Sequence, residues 1–411
     1  MNILIVSPFF PLPLQSGGHT RLFNLIKHLS RRHTVDLVSY IVASQTQCIT
    51  QIERFCRNIV CVNVDDLVGN RKNIIGSNNL RRLLLRFGLL VRGVPLEASA
   101  FYFAEMRDKL NDILASNDYQ VVQVEYPRMA LHLGRSFYEN HRALKVIADY
   151  DLSFIAHLRR YQNERSLFPR IARYVDYKLN RSFALATWKL FDHLVTMSQV
   201  DREKVREVLP DLSVQVVPNC VDLDYFRPIQ REATEMRLLL LGGAGHFPNV
   251  DAFSYFTKEI YPRVKASQKD VKLTVIGTGW EKISEKCDDP SITFAGFVED
   301  IRSFITGSAV LLAPIRIGGG TRLKILEAMA MGIPVVSTSV GCEGIAAEQG
   351  IHVLLADTPE DFARRIIDLH SDPKLCRTLT ENARQLVTQR YGWEAAALRM
   401  ERIYAQEVTD G

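Results

Sequence analysis

The chain has 411 residues, of which 47% are apolar and 24% are charged, and its formal net charge is +5. This length is sufficient for two domains with full cores, and the composition excludes a disordered or fibrous protein. The small positive excess suits nucleic acid, anionic lipid or phosphate ligands equally, so charge alone selects no function.

Apolar runs alternate along the chain with amphipathic helical stretches, a rhythm that predicts parallel sheets with helices on both faces. So many strands favour two doubly wound domains over a single sheet. The predicted strands are Ile3–Val6, Val35–Ile41, Val121–Val124, Val146–Ala148, His193–Thr196, Val214–Val217, Leu238–Leu241, Leu273–Ile276, Ile292–Phe294, Val310–Ala313 and Val335–Ser337.

The start of the chain, MNILIVSPFF, is predicted to be the first strand rather than a signal peptide. No window of about 18 residues is apolar enough to span a bilayer, so a cytoplasmic location is expected. Seven cysteines are scattered without a CxxC pair, which favours free thiols in a reducing compartment. The histidine spacing indicates no metal site.

A glycine-rich loop in the second half of the chain precedes a predicted helix. Residues 318–338 read GGGTRLKILEAMAMGIPVVST, in which Gly319, Gly320 and Thr321 lead into the helix. Glycines free backbone N–H groups at a helix start, where the helix dipole favours anions. Such loops are also common as plain turns.

Charged residues in the same stretch favour a ligand-binding loop over a plain turn. Arg322 and Lys324 add two positive charges, for which a simple turn has no structural need. Glu327 follows one to two helical turns after Arg322 and is able to accept hydrogen bonds from hydroxyls. Phosphate recognition beside hydroxyl recognition predicts a nucleotide or nucleotide-sugar ligand.

A second anion-suited loop lies in the first half of the chain. Residues 8–19 follow the first strand and contain Gly17 and Gly18 just before a helix predicted to begin near His19. Ligands of open parallel sheets bind beyond the carboxyl ends of the strands. Two such loops on strand ends therefore predict a cleft between the domains, although a flexible turn explains Gly17 and Gly18 equally well.

At this point the chain resembles the GT-B fold glycosyltransferases of family 4, the large retaining group that uses nucleotide-sugar donors. It looks most similar to a branch associated with bacterial extracellular-polysaccharide assembly. The segments that carry the resemblance are the loop at Gly17, FDHLVTMSQVDRE at 191–203, VVPNCVDLDYFRP at 216–228, GGAGHFPNVDAFSYF at 242–256, VIGTGW at 275–280, FAGFVEDI at 294–301 and the stretch 318–338.

The resemblance implies two Rossmann-like, doubly wound parallel-sheet domains that face each other across a cleft. The first, residues 1–218, is the acceptor-side domain, and a C-terminal helix within 391–411 crosses back to it with Trp393 as a packing anchor. The second, residues 234–390, binds the donor. The boundary falls at 218–235, where a polar, irregular segment separates two strand runs.

The chain departs from the family pattern at two places. The family commonly has two glutamates with seven residues between them, of which Glu327 matches the second, the ribose-binding one, whereas Gly319 occupies the first position. An arginine and lysine pair usual in the preceding region is also absent, because residues 242–250 read GGAGHFPNV. Arg322 and Lys324 are placed to bind the diphosphate in its stead.

The reaction implied is attack of an acceptor hydroxyl on the anomeric carbon with retention, while a nucleoside diphosphate leaves. Arg322 and Lys324 are predicted catalytic residues because they stabilise the charge of the leaving phosphate, with no metal and no cofactor. Further donor contacts are expected from His246 and Asn249 and from the backbone of residues 297–298. Asn249 is equally explained as a turn residue.

Three acids that end strands of the first domain are candidates for assisting the acceptor hydroxyl: Asp149, Asp151 and Glu125. An acid at a strand end is often only a helix cap. Asp149 is preferred because the family often places a catalytic side chain at the matching strand end.

Two basic stretches, 71–92 and 157–181, extend the expected location to the inner face of the plasma membrane. The first has six cations and no acid, and the second has seven cations and two acids. Each alone is also explained by a surface helix with its apolar face inward. The expected partners are a nucleotide-diphosphate sugar and a sugar or lipid-linked sugar acceptor. The alternatives are a nucleic-acid-binding protein, for which no docking motif occurs, and another nucleotide-sugar-handling protein.

Overall fold

The computed structural model of the chain describes residues 1–14, 16–65, 88–89, 92–150, 152–164, 166–228, 236–302, 304, 310–317 and 321–406. The chain divides into two compact units. Unit 1 comprises Met1–Pro218 with Ala396–Gly411, and unit 2 comprises Asn219–Ala395.

Unit 1 contains a parallel sheet of seven described strands in the order β3-β2-β1-β4-β5-β6-β7. Every residue of β4 is buried, because helices cover both faces of the sheet. The strands are β1 (Asn2–Ser7), β2 (Thr34–Ile41), β3 (Asn58–Asn63), β4 (Val121–Glu125), β5 (Leu144–Ala148), β6 (His193–Thr196) and β7 (Val214–Val216).

The helices of unit 1 form where apolar residues recur every three to four positions. In the first helix, Leu22, Leu25 and Leu29 lie on one buried side. The described helices are α1 (Gly17–Leu29), α2 (Ile49–Glu53), α3 (Leu96–Ala100), α4 (Ala104–Ser116), α5 (Arg135–Asn140), α6 (Ser153–Asn163), α7 (Leu167–Trp188) and α8 (Gln199–Arg206), with 3₁₀ turns at Ala43–Cys48 and Pro127–His132.

Unit 2 contains a second parallel sheet, with six described strands in the order β10-β9-β8-β11-β12-β13. Along the central strand, Leu238 and Leu240 enter one buried cluster while Leu239 and Leu241 enter another on the opposite face. This alternation follows from the two-residue period of a strand. The strands are β8 (Arg237–Leu241), β9 (Lys272–Ile276), β10 (Ile292–Gly296), β11 (Val310–Ala313), β12 (Val335–Ser337) and β13 (Leu354–Leu355).

The helices of unit 2 begin at recognisable caps. The Thr358 side chain accepts a hydrogen bond from the backbone N–H of Asp361 at 3.2 Å, and Pro359 occupies the first helical position. The described helices are α9 (Phe247–Tyr255), a π-helical turn (Phe256–Ile260), α10 (Tyr261–Ser267), α11 (Glu281–Ser284), α12 (Leu323–Ala330), α13 (Pro359–Ser371) and α14 (Pro373–Arg390).

The last described helix, α15 (Trp393–Tyr404), belongs to unit 1 from Ala396 onward. The Tyr404 hydroxyl donates to Oε1 of Gln123, and the Arg32 guanidinium contacts the Glu401 carboxylate at 2.8 Å. The Trp393 side chain is buried. These contacts attach the end of the chain to the first sheet.

All eleven predicted strands are confirmed, with ends that differ by at most two residues. The prediction missed β3 and β13. Strand β3 lies at a sheet edge and has exposed asparagines at both ends, and β13 has only two residues, so neither produces a long apolar run. Within the described parts of the chain, no helix combines the length and the apolar character needed to cross a bilayer.

Candidate functional site

The strand order of unit 2 defines a crevice at one edge of its sheet. Strand β8 lies between β9 and β11, so the connections that leave β8 and β11 diverge to opposite sides. Ligands of such sheets bind at this switch point, beyond the carboxyl ends of the two strands. Residues 242–249 and 314–324 follow those two strands, and both segments contain predicted site residues.

The loop after β8 makes a close turn around an asparagine side chain. Gly242 has a φ of 131°, and a Cβ atom at this position would lie 2.5 Å from Nδ2 of Asn249. That Nδ2 donates to the Gly243 carbonyl at 2.9 Å, and the Trp280 indole donates to the Gly242 carbonyl at 3.0 Å. The Asn249 side chain therefore stabilises the loop, which agrees with its interpretation as a turn residue.

The Lys324 ammonium group lies at the switch point. Its Nζ donates to the carbonyl of Leu241, the last residue of β8, and to Oδ1 of Asn249 at 3.2 Å. Burial and, to a lesser extent, the positive charge of Arg322 lower the pKa of Lys324 to about 8, while the charge of Glu327 opposes this shift. Lys324 therefore remains largely protonated at neutral pH, with its position fixed by two acceptors.

Glu327 follows Lys324 by one turn of α12. Burial raises the pKa of its carboxyl group to about 7, although the positive charge of Lys324 lowers it. The side chain is half-buried rather than sealed from solvent. Glu327 therefore changes between its neutral and ionised forms near physiological pH, which is unusual for a carboxyl group on a helix.

The start of α12 contains a buried polar atom. Thr321 is 9% exposed, and its hydroxyl has no hydrogen-bond partner among the described residues. A buried hydroxyl without a partner costs about 1–3 kcal/mol. Arg322 is the N-cap residue of α12. Gly319 and Gly320 lie outside the described residues.

The remaining predicted donor residues follow neighbouring strand ends of unit 2. His246 is the exposed N-cap residue of α9, and the Phe297 side chain, after β10, is 74% exposed. Val298 packs against the buried cluster that contains Leu241. Asp300 accepts a hydrogen bond from the backbone N–H of Arg302 at 2.9 Å.

In unit 1, α1 begins at Gly17, two residues before its predicted start. A Cβ atom on Gly18 would lie 2.9 Å from the far end of the Phe9 ring, so any larger residue here would displace that ring. The Ser16 hydroxyl and Nδ1 of His19 are 2.6 Å apart, and burial lowers the pKa of His19.

Two of the three predicted acceptor-side acids are almost fully buried. Asp149 is 1% exposed and Glu125 is 0% exposed, whereas Asp151 lies outside the described residues. Burial raises the pKa of Glu125, and hydrogen bonding to Gln123 is the largest of the effects that oppose it. The assignment of Asp149 to acceptor activation stays a prediction.

Glu125 lies in a buried polar cluster. This cluster was not predicted from the sequence. Arg21 is 0% exposed, its Nη1 donates to the Pro218 carbonyl at 2.9 Å, and its guanidinium lies 5.1 Å from the centre of the Tyr150 ring. Arg21 therefore belongs to the buried interior of unit 1. Arg21 precedes Leu25 and Leu29 at helical spacing on the buried side of α1, so the sequence pattern could have predicted its burial. The cluster consists of Arg21, Gln123, Glu125, Tyr150 and Tyr404.

All seven cysteines are free thiols. Among the residues that the structure describes, no group of three or more His, Cys, Asp or Glu side chains is arranged to hold a metal ion.

Comparison with known proteins gives the class. Residues 236–372 match the family model described as glycosyl transferases group 1. The structure of sucrose-phosphate synthase from Thermosynechococcus elongatus is similar, with a TM-score of 0.72 and 18% identity over 99% of this chain and 98% of that one. The family match over residues 236–372 and the likeness in fold confirm the predicted resemblance to group 1 glycosyltransferases of the GT-B fold, and with it the predicted fold class.

Two further relatives cover nearly the whole chain. HepE of Anabaena, in complex with UDP, has a TM-score of 0.67 and 15% identity over 99% of this chain and 100% of that one. A Klebsiella pneumoniae protein described as an uncharacterised 44.6 kDa protein in the cps region is 22% identical over 406 residues, which are 95% of this chain and 96% of the relative.

Proposed function

We propose that this protein transfers a sugar from a nucleoside-diphosphate sugar to an acceptor hydroxyl, with retention at the anomeric carbon. The observation that carries the proposal is the Lys324 ammonium group, held by Leu241 and Asn249 at the switch point of unit 2. A fixed positive charge at the N-terminal end of a helix suits a diphosphate.

The leaving group of this reaction is a nucleoside diphosphate, whose phosphate oxygens gain negative charge as the glycosidic bond breaks. Lys324 and Arg322 would stabilise that charge without reorganising, because they are already in position. The Thr321 hydroxyl would donate a further hydrogen bond. Residues 319–320 would add backbone N–H groups, as the family resemblance implies.

The rest of the donor would contact groups with weaker side-chain signals. Glu327 would accept hydrogen bonds from the two ribose hydroxyls. The backbone of 297–298 would contact the base, and His246 and Asn249 would line the donor site. The base and the sugar stay open.

Protein cations in place of a metal make the proposed transfer metal-independent and cofactor-free. Activity is therefore expected to be the same in excess EDTA as in excess Mg²⁺. An absolute requirement for a divalent ion would reject this part of the proposal without rejecting the donor class.

Assembly of a bacterial polysaccharide or glycolipid is the setting that the comparisons favour. The Klebsiella pneumoniae relative lies in a cps region and matches almost the full length of the chain. The acceptor would accordingly be a sugar or a lipid-linked sugar.

The proposal is tested by thermal-shift measurements with UDP, GDP and ADP and their sugars, beginning with UDP because it is bound in the HepE structure. Stabilisation by one nucleoside diphosphate would identify the base. Failure of all three, together with stabilisation by DNA or RNA, would favour the nucleic-acid alternative. NMR of the anomeric proton in the product would then establish retention or inversion.

Asp149 is proposed to assist the acceptor hydroxyl. Replacing Asp149 with Asn removes the charge at nearly constant volume, and we expect turnover to fall while donor binding is kept. Unchanged turnover with the fold intact would remove Asp149 from the mechanism.

A further inference from the structure

Helix α7 presents an apolar stripe to solvent. All ten residues of 167–176 are exposed, although this half of the helix contains six apolar or aromatic side chains. Exposed fractions reach 68% for Leu167, 83% for Phe168 and 55% for Ile171. The stripe consists of Leu167, Phe168, Ile171, Tyr174, Val175 and Leu179.

The stripe points away from the core of unit 1. The buried residues of α7 include Asn180, Ala184 and Thr187, which lie about half a turn around the helix from Ile171 and Val175. Within the basic stretch 157–181, the interpretation as a surface helix with its apolar face inward is therefore wrong for residues 167–179.

Contacts with α6 and with the residue that follows it fix α7 in place, and Tyr174 at the edge of the stripe takes part in them. Nδ1 of His157 lies 2.7 Å from Oδ2 of Asp176, and Arg173 donates to Glu164 at 2.9 Å. The Tyr161 and Tyr174 rings pack together with their centroids 5.2 Å apart. These contacts hold α7 in place with its stripe exposed.

Positive charge accompanies the stripe. Arg170 and Lys178 are exposed beside it, and a shallow groove further along the helix is lined by Leu179 together with Arg181 and Lys189. The only acid in the sequence of α7 is Asp176, which is occupied by His157 and by the Asn180 amide at 3.0 Å. The exposed side thus combines apolar groups with cations.

We propose that this stripe and its cations bind the surface of an anionic lipid bilayer. Apolar side chains would enter the headgroup boundary, while the Lys and Arg groups would contact lipid phosphates. Charge complementarity favours a bilayer over a second copy of the chain, because a two-fold pairing of this face would bring cations against cations. This surface is independent of the proposed sugar transfer. Most of the stretch 71–92 lies outside the described residues and carries no part of the argument.

Vesicle sedimentation tests the inference. The full chain is expected to sediment with vesicles of phosphatidylcholine and phosphatidylglycerol at low salt, and to remain in the supernatant with phosphatidylcholine alone. Binding is expected to weaken at higher salt because the cations are exposed. A protein that stays in the supernatant with the anionic vesicles at low salt would overturn the proposal.

Variants of the stripe sharpen the test. Changing Ile171 and Val175 to Ser is expected to lower vesicle affinity by at least about tenfold, because two apolar anchors are lost. The matched control changes two exposed apolar residues elsewhere, Ile351 and Leu398, to Ser and is expected to bind as the wild type does. Equal binding by the stripe variant and the wild type would contradict the assignment.

Variants of the cations separate lipid from a protein partner. Changing Arg170 and Lys178 to Gln is expected to lower affinity by about 25-fold, at about fivefold per cation, whereas Gln at the exposed Lys258 and Arg377 leaves it unchanged. If sedimentation velocity showed a wild-type dimer that is lost in the stripe variant, the stripe would bind a second copy of the chain, and the bilayer proposal would be rejected. Nucleoside-diphosphate binding, measured on the same samples, is expected to be equal in all variants, so failure here is distinct from failure of the proposed function.

Discussion

The two sheets share one topology but use their switch points differently. In unit 1 the strands at that point are β1 and β4, and in unit 2 they are β8 and β11. At the switch point of unit 2, Lys324 and Glu327 on α12 are half-buried. At the switch point of unit 1, Arg21 and Glu125 are fully buried. The same strand order therefore gives a crevice in each unit, and the side chains decide what occupies it.

The physical difference lies in where the charged groups find their partners. Arg21 uses its guanidinium on the Pro218 carbonyl and the Tyr150 ring, so it contributes to packing. Lys324 is held by two acceptors, yet its side chain stays partly exposed and able to meet an anion. Four substitutions, two in each unit, test this contrast.

The largest expected effect is that of Lys324→Met on catalysis. Loss of a positioned charge should raise the barrier by about 2–4 kcal/mol, which lowers kcat about 30- to 1,000-fold. Steady-state kinetics measure this, with Lys258→Met at an exposed position as the control. A fully active Lys324→Met variant would mean that the charge at the unit 2 switch point serves stability alone.

Glu327→Gln should chiefly weaken donor binding. An amide replaces a charged acceptor of two hydroxyl hydrogen bonds, so affinity for the nucleoside diphosphate should fall about 10- to 100-fold at pH 8. Calorimetry compares the affinity of the wild type and the variant for the ribonucleotide and for its 2′,3′-dideoxy analogue, which lacks both ribose hydroxyls. If the variant loses affinity equally for both, Glu327 does not contact the ribose.

The pH profile gives the same prediction in another form. Glu327 must be ionised to accept both hydroxyls, so kcat/KM should fall as pH drops through about 7. Lys324 must be protonated, so kcat/KM should also fall as pH rises through about 8. The wild type should therefore show a narrow optimum between these values, and Glu327→Gln should lose the acid limb.

Arg21→Met should act on stability instead. It removes both the guanidinium that donates to the Pro218 carbonyl and the cation of the buried polar cluster, at a cost of about 1–3 kcal/mol of unfolding free energy. Urea titration measures the cost, and nucleoside-diphosphate binding to unit 2 should be kept. Wild-type stability in Arg21→Met would remove the contrast between the two units.

Glu125→Gln should have the smallest effect, within about 1 kcal/mol. Because the folded pKa of Glu125 is raised above 4.5, the folded state retains a proton that the unfolded state loses, and stability falls as pH rises above that value. The Gln variant cannot titrate, so its stability relative to the wild type should increase between pH 5 and pH 8. A difference that is constant with pH would show that Glu125 ionises normally.

The sequence itself determined the strands and marked the start of α12 as a candidate site. A strand buried on both faces needs a short apolar run, so eleven strands were predictable from local composition. Arg322, Lys324 and Glu327 were predicted as site residues because a glycine-rich loop, two cations and an acid occur within one short segment. Local pattern was sufficient wherever neighbours in the chain are neighbours in space.

Only the tertiary structure decided which distant groups meet. The contact of Lys324 with Asn249 spans 75 residues, and that of Tyr404 with Gln123 spans 281. Such pairs depend on the order of strands in the sheet, which no local pattern encodes. The outward direction of the α7 stripe could not be predicted from the sequence either. An apolar face on a helix indicates that the face packs against something, but it does not indicate whether that is the protein core.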